Sequence, residues 1–264
     1  MRTIAHPTDL SEEAVPAFAQ ALRLAVEYRC RLDVMHVRSH DDRTHWHDFP
    51  HVREFLVRWG LLPPGASIAD IHAKLGVDVR KVDIRDGDAI DGIVRFMETH
   101  PADLVALSTH GKSGLTRWLM GSVSEDLAHA LAVPTLFFGP EARPFVDLET
   151  GRLAIDEIAV PVAREPSPSR TIGQLRQLLD PIKPRLHLFH VGDDAPRVAD
   201  DHGMHLPVEI IEGRVVETIL RAALRADLIA MPTAGRHGFL DALRGSTTEQ
   251  VLRRASRPVL ALPA

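Results

Sequence analysis

The sequence is short of several residue types, and each shortage excludes a class of protein. Its one cysteine, Cys30, cannot form a disulfide within the chain, which indicates a reducing compartment. Lys and Arg total 31 against 36 Asp and Glu, so the net charge of -5 offers no basic field to hold nucleic acid. No apolar run reaches the roughly 18 residues that span a membrane, and the N-terminus lacks the apolar stretch of a signal peptide. We therefore expect a cytoplasmic protein that binds neither nucleic acid nor a membrane.

What the sequence does contain is a glycine-rich motif that occurs twice, 124 residues apart. In the first copy an apolar run, 103–107, leads through Ser108 into the glycines and then into a helical pattern, 118–130. The first N–H groups of a helix have no partner within it, so a glycine turn between strand and helix can bind an anion such as phosphate. The matching glycines are Gly111 and Gly235, Gly114 and Gly238, and Gly121 and Gly245.

Strand patterns alternate with helical patterns in both halves, which indicates parallel strands joined by crossover helices. The sequence predicts two tandem Rossmann-like α/β domains, each with a five-stranded parallel sheet in flavodoxin-like order and flanking helices. The predicted domains are 1–140 and a shorter 154–264, joined by a linker, 141–153, that is rich in Pro, Gly and charge. Pro161 follows Pro7 by 154 residues but Gly213 follows Gly87 by 126, so about 28 residues are missing from the second half.

In an open parallel sheet, ligands bind beyond the carboxyl ends of the strands where the strand order reverses. Asp9 follows the first predicted strand, and Ser108 to Gly111 follow the fourth. We expect these two segments to meet in the first half. At the corresponding positions the second half has Ala163 and Pro232, and proline has no N–H to donate. The glycines alone do not decide between a ligand site and a tight turn, because such turns need glycine in either case.

These residues resemble the universal stress protein family, in particular tandem members with two UspA-type domains in one chain. Its nucleotide-binding members carry a glycine, two residues, a second glycine, nine residues, and then glycine with Ser or Thr. Here Gly111 is the second glycine and Gly121-Ser122 is the end, while Ser108 replaces the first glycine. The segment from Pro7 to Ser11 also matches the end of the family's first strand closely.

The resemblance implies that the first domain binds an adenine nucleotide, ATP or else ADP or AMP, with Mg²⁺ as an accompanying ion. Asp9 would face the ribose or the metal, the backbone near Val37 would face the adenine, and the glycine loop would hold ribose and phosphates. The nucleotide-binding residues expected are Pro7, Thr8, Asp9, Val37, Ser108, His110, Gly111, Lys112, Gly114, Gly121, Ser122, Val123 and Ser124. A weak anion site in the second domain would use Gly235, Arg236, Gly238, Gly245, Ser246 and Thr247.

The leading hypothesis is a stress-response or signalling module that binds ATP. One alternative is a slow ATP hydrolase or phosphotransferase at the same site, in which His110 donates a hydrogen bond to a phosphate or attacks one. The sequence names no catalytic base paired with an activated nucleophile, so no catalytic residue is assigned. Another alternative is a structural interaction protein whose halves pair through their last strands, 135–138 and 258–262. The resemblance implies pairing of domains, either as a homodimer or as a pseudo-dimer within the chain.

A histidine-rich stretch lies opposite the residues that the second half lacks. Histidines are common ligands of zinc, and the four here are His40, His45, His47 and His51. Pro50 disfavours a helix that would present His47 and His51 together. We therefore interpret the stretch as a solvated polar loop and assign no metal.

Overall fold

The fold is given by a computed structural model, which describes residues 1–38, Trp46, Phe49, 51–109, 133–200, 203–233 and 247–263. The strands of the first half are β1 Thr3–Pro7, β2 Arg31–Arg38, β3 Asp78–Arg85, β4 Leu104–Ser108 and β5 Thr135–Phe138. Those of the second half are β6 Glu157–Pro161, β7 Arg185–Val191, β8 Val198–Ala199, β9 His205–Leu206, β10 Glu209–Ile211, β11 Leu228–Thr233 and β12 Val259–Pro263. The helices are α1 Val15–Tyr28, α2 Val52–Arg58, α3 Ile68–Asp70, α4 Ala89–Thr99, α5 Pro168–Leu179, α6 Val215–Ala223 and α7 Thr247–Arg254.

Ten of these strands form one sheet in the order β10-β7-β6-β11-β12-β5-β4-β1-β2-β3. Within each half the strands are parallel, which confirms the predicted α/β class with two five-stranded units. The predicted flavodoxin-like strand order was wrong in the position of the third strand. Counted along its own chain, each half has the order 3-2-1-4-5, because its third strand lies beyond the second and not beyond the first.

The two half-sheets join through their last strands, as one of the sequence hypotheses expected. β12 lies antiparallel to β5, with Leu260 opposite Leu136 and Val259 opposite Phe137. All four of these side chains are buried. Because each last strand covers the edge of the other, neither half leaves that edge open to pair with another chain.

The two halves repeat one another down to individual hydrogen bonds. The N–H of Thr8 donates to Met35 O at 2.9 Å, and the N–H of Val162 donates to Phe189 O at 2.8 Å, 154 residues further on. At the opposite end of the sheet Asp103 accepts bonds from the N–H groups at positions 2 and 3, and Asp227 accepts them from 156 and 157. Equivalent contacts at matching positions of the two halves indicate an internal duplication.

Helices cover both faces of the sheet. On one face α1, α2 and α5 pack against it, and Phe18 of α1 contacts Phe55 of α2 with ring centroids 5.9 Å apart. On the other face α4, α6 and α7 supply the apolar contacts. Among the described residues no helix is long and apolar enough to span a membrane. The chain after Pro50 forms α2, and the second half also contains the short antiparallel pair β8–β9.

The segment between the halves is packed against the first half. Phe145 is buried, and its N–H donates to Gln20 Oε1 on α1 at 3.0 Å. The indole N–H of Trp59 donates to Leu148 O at 3.0 Å. Arg23 Nε donates to Gly151 O at 2.9 Å, and Gly151 itself has a φ of +67°. Side-chain packing and hydrogen bonds therefore fix the path of the chain between the two half-sheets.

Candidate functional site

The strand order of the first half reverses at β1. The chain passes from β1 to β2 on one side and returns to place β4 on the other, so the carboxyl ends of β1 and β4 lie side by side. We call this position the crevice, because open parallel sheets bind ligands there. Pairing of β1 with β4 includes Ile4 with Leu104 and Ala5 with Val105, which puts the residues after Pro7 level with those that end β4. The structure thus brings together Pro7, Thr8 and Asp9 with Ser108, and it places Val37 on the adjoining β2.

Asp9 is held in a fixed position at this edge. Its side chain is 8% exposed, and its Oδ1 accepts bonds from Ser11 N at 3.0 Å and from Ser11 Oγ at 2.6 Å. The preceding Thr8 makes a similar local turn, since its Oγ1 accepts from Leu10 N at 3.1 Å. Short polar side chains that bond the backbone two residues on are typical of such turns. The result is a nearly buried carboxylate anchored directly after a central strand.

Two buried histidines support the strands below the crevice, and the sequence analysis did not single them out. His36 Nδ1 lies 3.0 Å from Thr8 O and donates to it, which ties the end of β2 to the turn after β1. His6 Nδ1 donates to Ala106 O at 2.8 Å, between β1 and β4. Burial lowers the pKa of His6 to about 4, so the ring is neutral at pH 7. One signal was available for His36, because His190 follows it by the same 154 residues that separate Pro161 from Pro7.

The second half has the same crevice with different side chains. His190 Nδ1 donates to Val162 O at 2.8 Å, as His36 does to Thr8 O. Ala163 stands where the first half has Asp9, and the next residue, Arg164, forms an ion pair with Asp194. Pro232 lies in β11 where Ser108 ends β4. The second half therefore lacks a carboxylate at the position of Asp9.

The glycine loops fall outside the described residues. In the first half these are His110, Gly111, Lys112, Gly114, Gly121, Ser122, Val123 and Ser124, and in the second half Gly235, Arg236, Gly238, Gly245 and Ser246. Thr247, the remaining member of the second set, begins α7. Their contribution to a site stays a prediction from the sequence.

The histidine-rich stretch is described only in part. His51 is exposed and precedes α2 without capping it by a side-chain bond, while His40, His45 and His47 lie outside the described residues. Where the structure does describe the chain, no group of three or more His, Cys, Asp or Glu side chains is arranged to hold a metal ion.

The sheet topology and the flanking helices define a tandem α/β protein of Rossmann type. The model of the universal stress protein family matches residues 1–138 and 179–263, and the chain belongs to that family. A comparison with curated proteins found no significant match.

Solved structures with the same fold cover nearly the whole chain. A universal stress protein from Archaeoglobus fulgidus has 20% sequence identity and a TM-score of 0.60, over 99% of this chain and 96% of that chain. A functionally unknown protein from Pseudomonas aeruginosa has 16% identity and a TM-score of 0.61, over 100% and 92%. A universal stress protein in complex with cAMP matches 53% of this chain and 97% of its own, with 16% identity and a TM-score of 0.37. The first two similarities show the fold alone, so the ligand of this chain has to be argued from its own residues.

Proposed function

We propose that the chain is a cytoplasmic stress-response or signalling module that binds an adenine nucleotide, chiefly ATP, in the crevice where β1 and β4 end. Binding would act by favouring one conformational state or association, because a ligand can signal only through a difference in affinity between two states. The loop from His110 to Ser124 would supply the phosphate contacts that its glycines predict.

The observation that carries the proposal is the anchored carboxylate of Asp9 at the point of strand-order reversal. Ser11 holds one carboxylate oxygen through two hydrogen bonds, so the group is oriented before any ligand arrives. A nearly buried carboxylate has a high desolvation cost, and ribose hydroxyl donors or a Mg²⁺ ion carried by ATP would offset it. Carboxylate oxygens are also the ligands that Mg²⁺ prefers, so this side chain fits either role.

The second half supports the assignment by contrast. The same duplicated scaffold, with the same His190 contact, has Ala163 at the Asp9 position. Alanine cannot accept a hydrogen bond from a ribose or bind a metal. We therefore propose one ATP site per chain, in the first half, and at most a weak anion site in the second.

Calorimetric titration of ATP with Mg²⁺ tests the proposal. Asp9→Asn keeps the size of the side chain but removes its charge, and we expect it to weaken ATP binding at least about tenfold, the loss typical of a hydrogen bond to a charged group. Asp103→Asn is the matched control, since Asp103 also accepts two hydrogen bonds, in its case from the N–H groups of Arg2 and Thr3 at the opposite end of the same strands. Its affinity should stay within about twofold of wild type. Equal affinities in wild type and Asp9→Asn would refute the site, and Gly121→Val tests the loop separately.

A further inference from the structure

A second cavity lies on the first half, away from the strand-end crevice. It has a volume of about 360 Å³, within the range of small-molecule sites. None of its lining residues belongs to the predicted nucleotide site. They come from α2 and the residue before it, from the turn that contains α3, and from the start of the edge strand β3.

Part of the cavity wall is apolar. Val52, Ile71 and Val77 are all buried there, between 1% and 8% exposed. Ile68 continues this apolar surface to the outside and is 80% exposed. A single exposed isoleucine is ordinary on a protein surface, but this one adjoins a cavity whose wall is already apolar. An alkyl group bound here could bury its surface against the apolar wall and against the side chain of Ile68.

The polar lining is mainly cationic. Arg53 and Lys81 carry positive charge, and His51 and His72 add two groups that become positive when protonated. Among the described lining residues Asp78 is the one acid, and its Oδ1 already lies 3.2 Å from His72 Nδ1. The charge left over is therefore positive and complementary to an anion.

A bound carboxylate would stabilise the charged ammonium of Lys81. Its ammonium lies 5.3 Å from the ring centroid of Trp46, over the ring face. Partial burial lowers the pKa of Lys81, because the charged ammonium has lost part of its hydration. A carboxylate beside it would replace that hydration with a charge-assisted hydrogen bond.

We propose that this cavity binds a small amphipathic organic anion, a monocarboxylate with an unbranched alkyl tail. The tail would lie against Ile68, Ile71 and the buried valines, and the carboxylate would face Lys81 and Arg53. The site is separate from the proposed ATP site and would stand even if that site binds no nucleotide.

Calorimetric titration with straight-chain carboxylates, kept below their micelle concentrations, tests the tail. From hexanoate to decanoate we expect the dissociation constant to fall by up to about fourfold for each added methylene, as buried CH₂ groups do. Hexylamine, of opposite charge, should bind more weakly than hexanoate. Absence of decanoate binding, or affinity that does not change with tail length, would overturn the proposal.

Two matched lysine substitutions test the head group and the location. Lys81→Met keeps the length of the side chain without its charge and should weaken decanoate binding about fivefold, the upper range for an exposed ion pair, while changing the affinity for 1-decanol less than twofold. Lys183→Met is the control, because Lys183 lines a different cavity of about 380 Å³ in the second half. A loss of decanoate affinity in Lys183→Met but not in Lys81→Met would place the ligand elsewhere and refute the assignment.

Discussion

Among the glycines that the structure describes, Gly151 is the one whose added Cβ would make the shortest contact. Its φ of +67° lies in the left-handed region, which costs a residue with a Cβ about 1–2 kcal/mol. A Cβ built there would lie 2.4 Å from Trp59 Cγ and 2.6 Å from Trp59 Cδ2. Trp59 is buried and bonded to Leu148 O, so it cannot move without breaking that contact. Overpacking of this kind costs a further 1–3 kcal/mol or so. We expect Gly151→Ala to lower the free energy of unfolding by about 3 kcal/mol.

Gly60→Ala separates the two terms of that estimate. Gly60 has nearly the same φ, +69°, but nothing lies within 4 Å of its added Cβ. The backbone cost and the loss of unfolded-state entropy are then common to both variants, so their difference isolates the clash with Trp59. Urea unfolding followed by tryptophan fluorescence should show Gly151→Ala less stable than Gly60→Ala by about 1–3 kcal/mol. Equal unfolding free energies would show that the clash with Trp59 is relieved without cost, and the reasoning would fail.

Two further predictions concern buried titratable groups. Because the pKa of His6 falls from 6.5 to about 4 on folding, the unfolded chain binds more protons in that window, and stability should drop by up to about 3 kcal/mol as pH falls through it. His6→Val, which copies Val160 of the second half, should show a shallower drop between pH 7 and 4.5 in urea unfolding, and an unchanged slope would contradict the assignment. Burial raises the pKa of Cys30 to about 11, so it should react with a thiol reagent in urea but hardly at all in native buffer. Rapid native labelling would disprove that burial.

The sequence predicted the elements of the fold better than their arrangement. The strand β5 has the bounds, 135–138, that the sequence predicted. The alternation of strands and helices also indicated a parallel sheet, but it is compatible with more than one strand order. Which side of β1 the third strand takes depends on packing between distant elements, so the flavodoxin-like order could not be excluded from the pattern alone.

The buried histidines next to the candidate site were harder to predict from the sequence than the strands. A histidine inside a short apolar run, such as His6, looks the same whether it is buried or at a strand end, and its bond to Ala106 O depends on the spacing of two strands. The segment 141–153 was predicted to be a linker because of its Pro, Gly and charged residues, and this composition gave no sign that the segment packs against the first half. The burial of Phe145 and Val146 within it needs α1 and Trp59 to be in place first.

The antiparallel contact between β5 and β12 places the two crevices at opposite ends of the strands. The strands of the second half-sheet run in the direction opposite to those of the first. The carboxyl ends of β1 and β4 therefore lie at one end of the strands, and those of β6 and β11 lie at the other end. A strand of five residues separates these ends by about 17 Å. A single small ligand therefore cannot bridge both crevices. A partner that contacts one crevice would approach from the side opposite to a partner that contacts the other. The halves touch through the shared sheet and also through their helices, where Tyr28 Oη of α1 donates to Leu178 O of α5 at 2.6 Å.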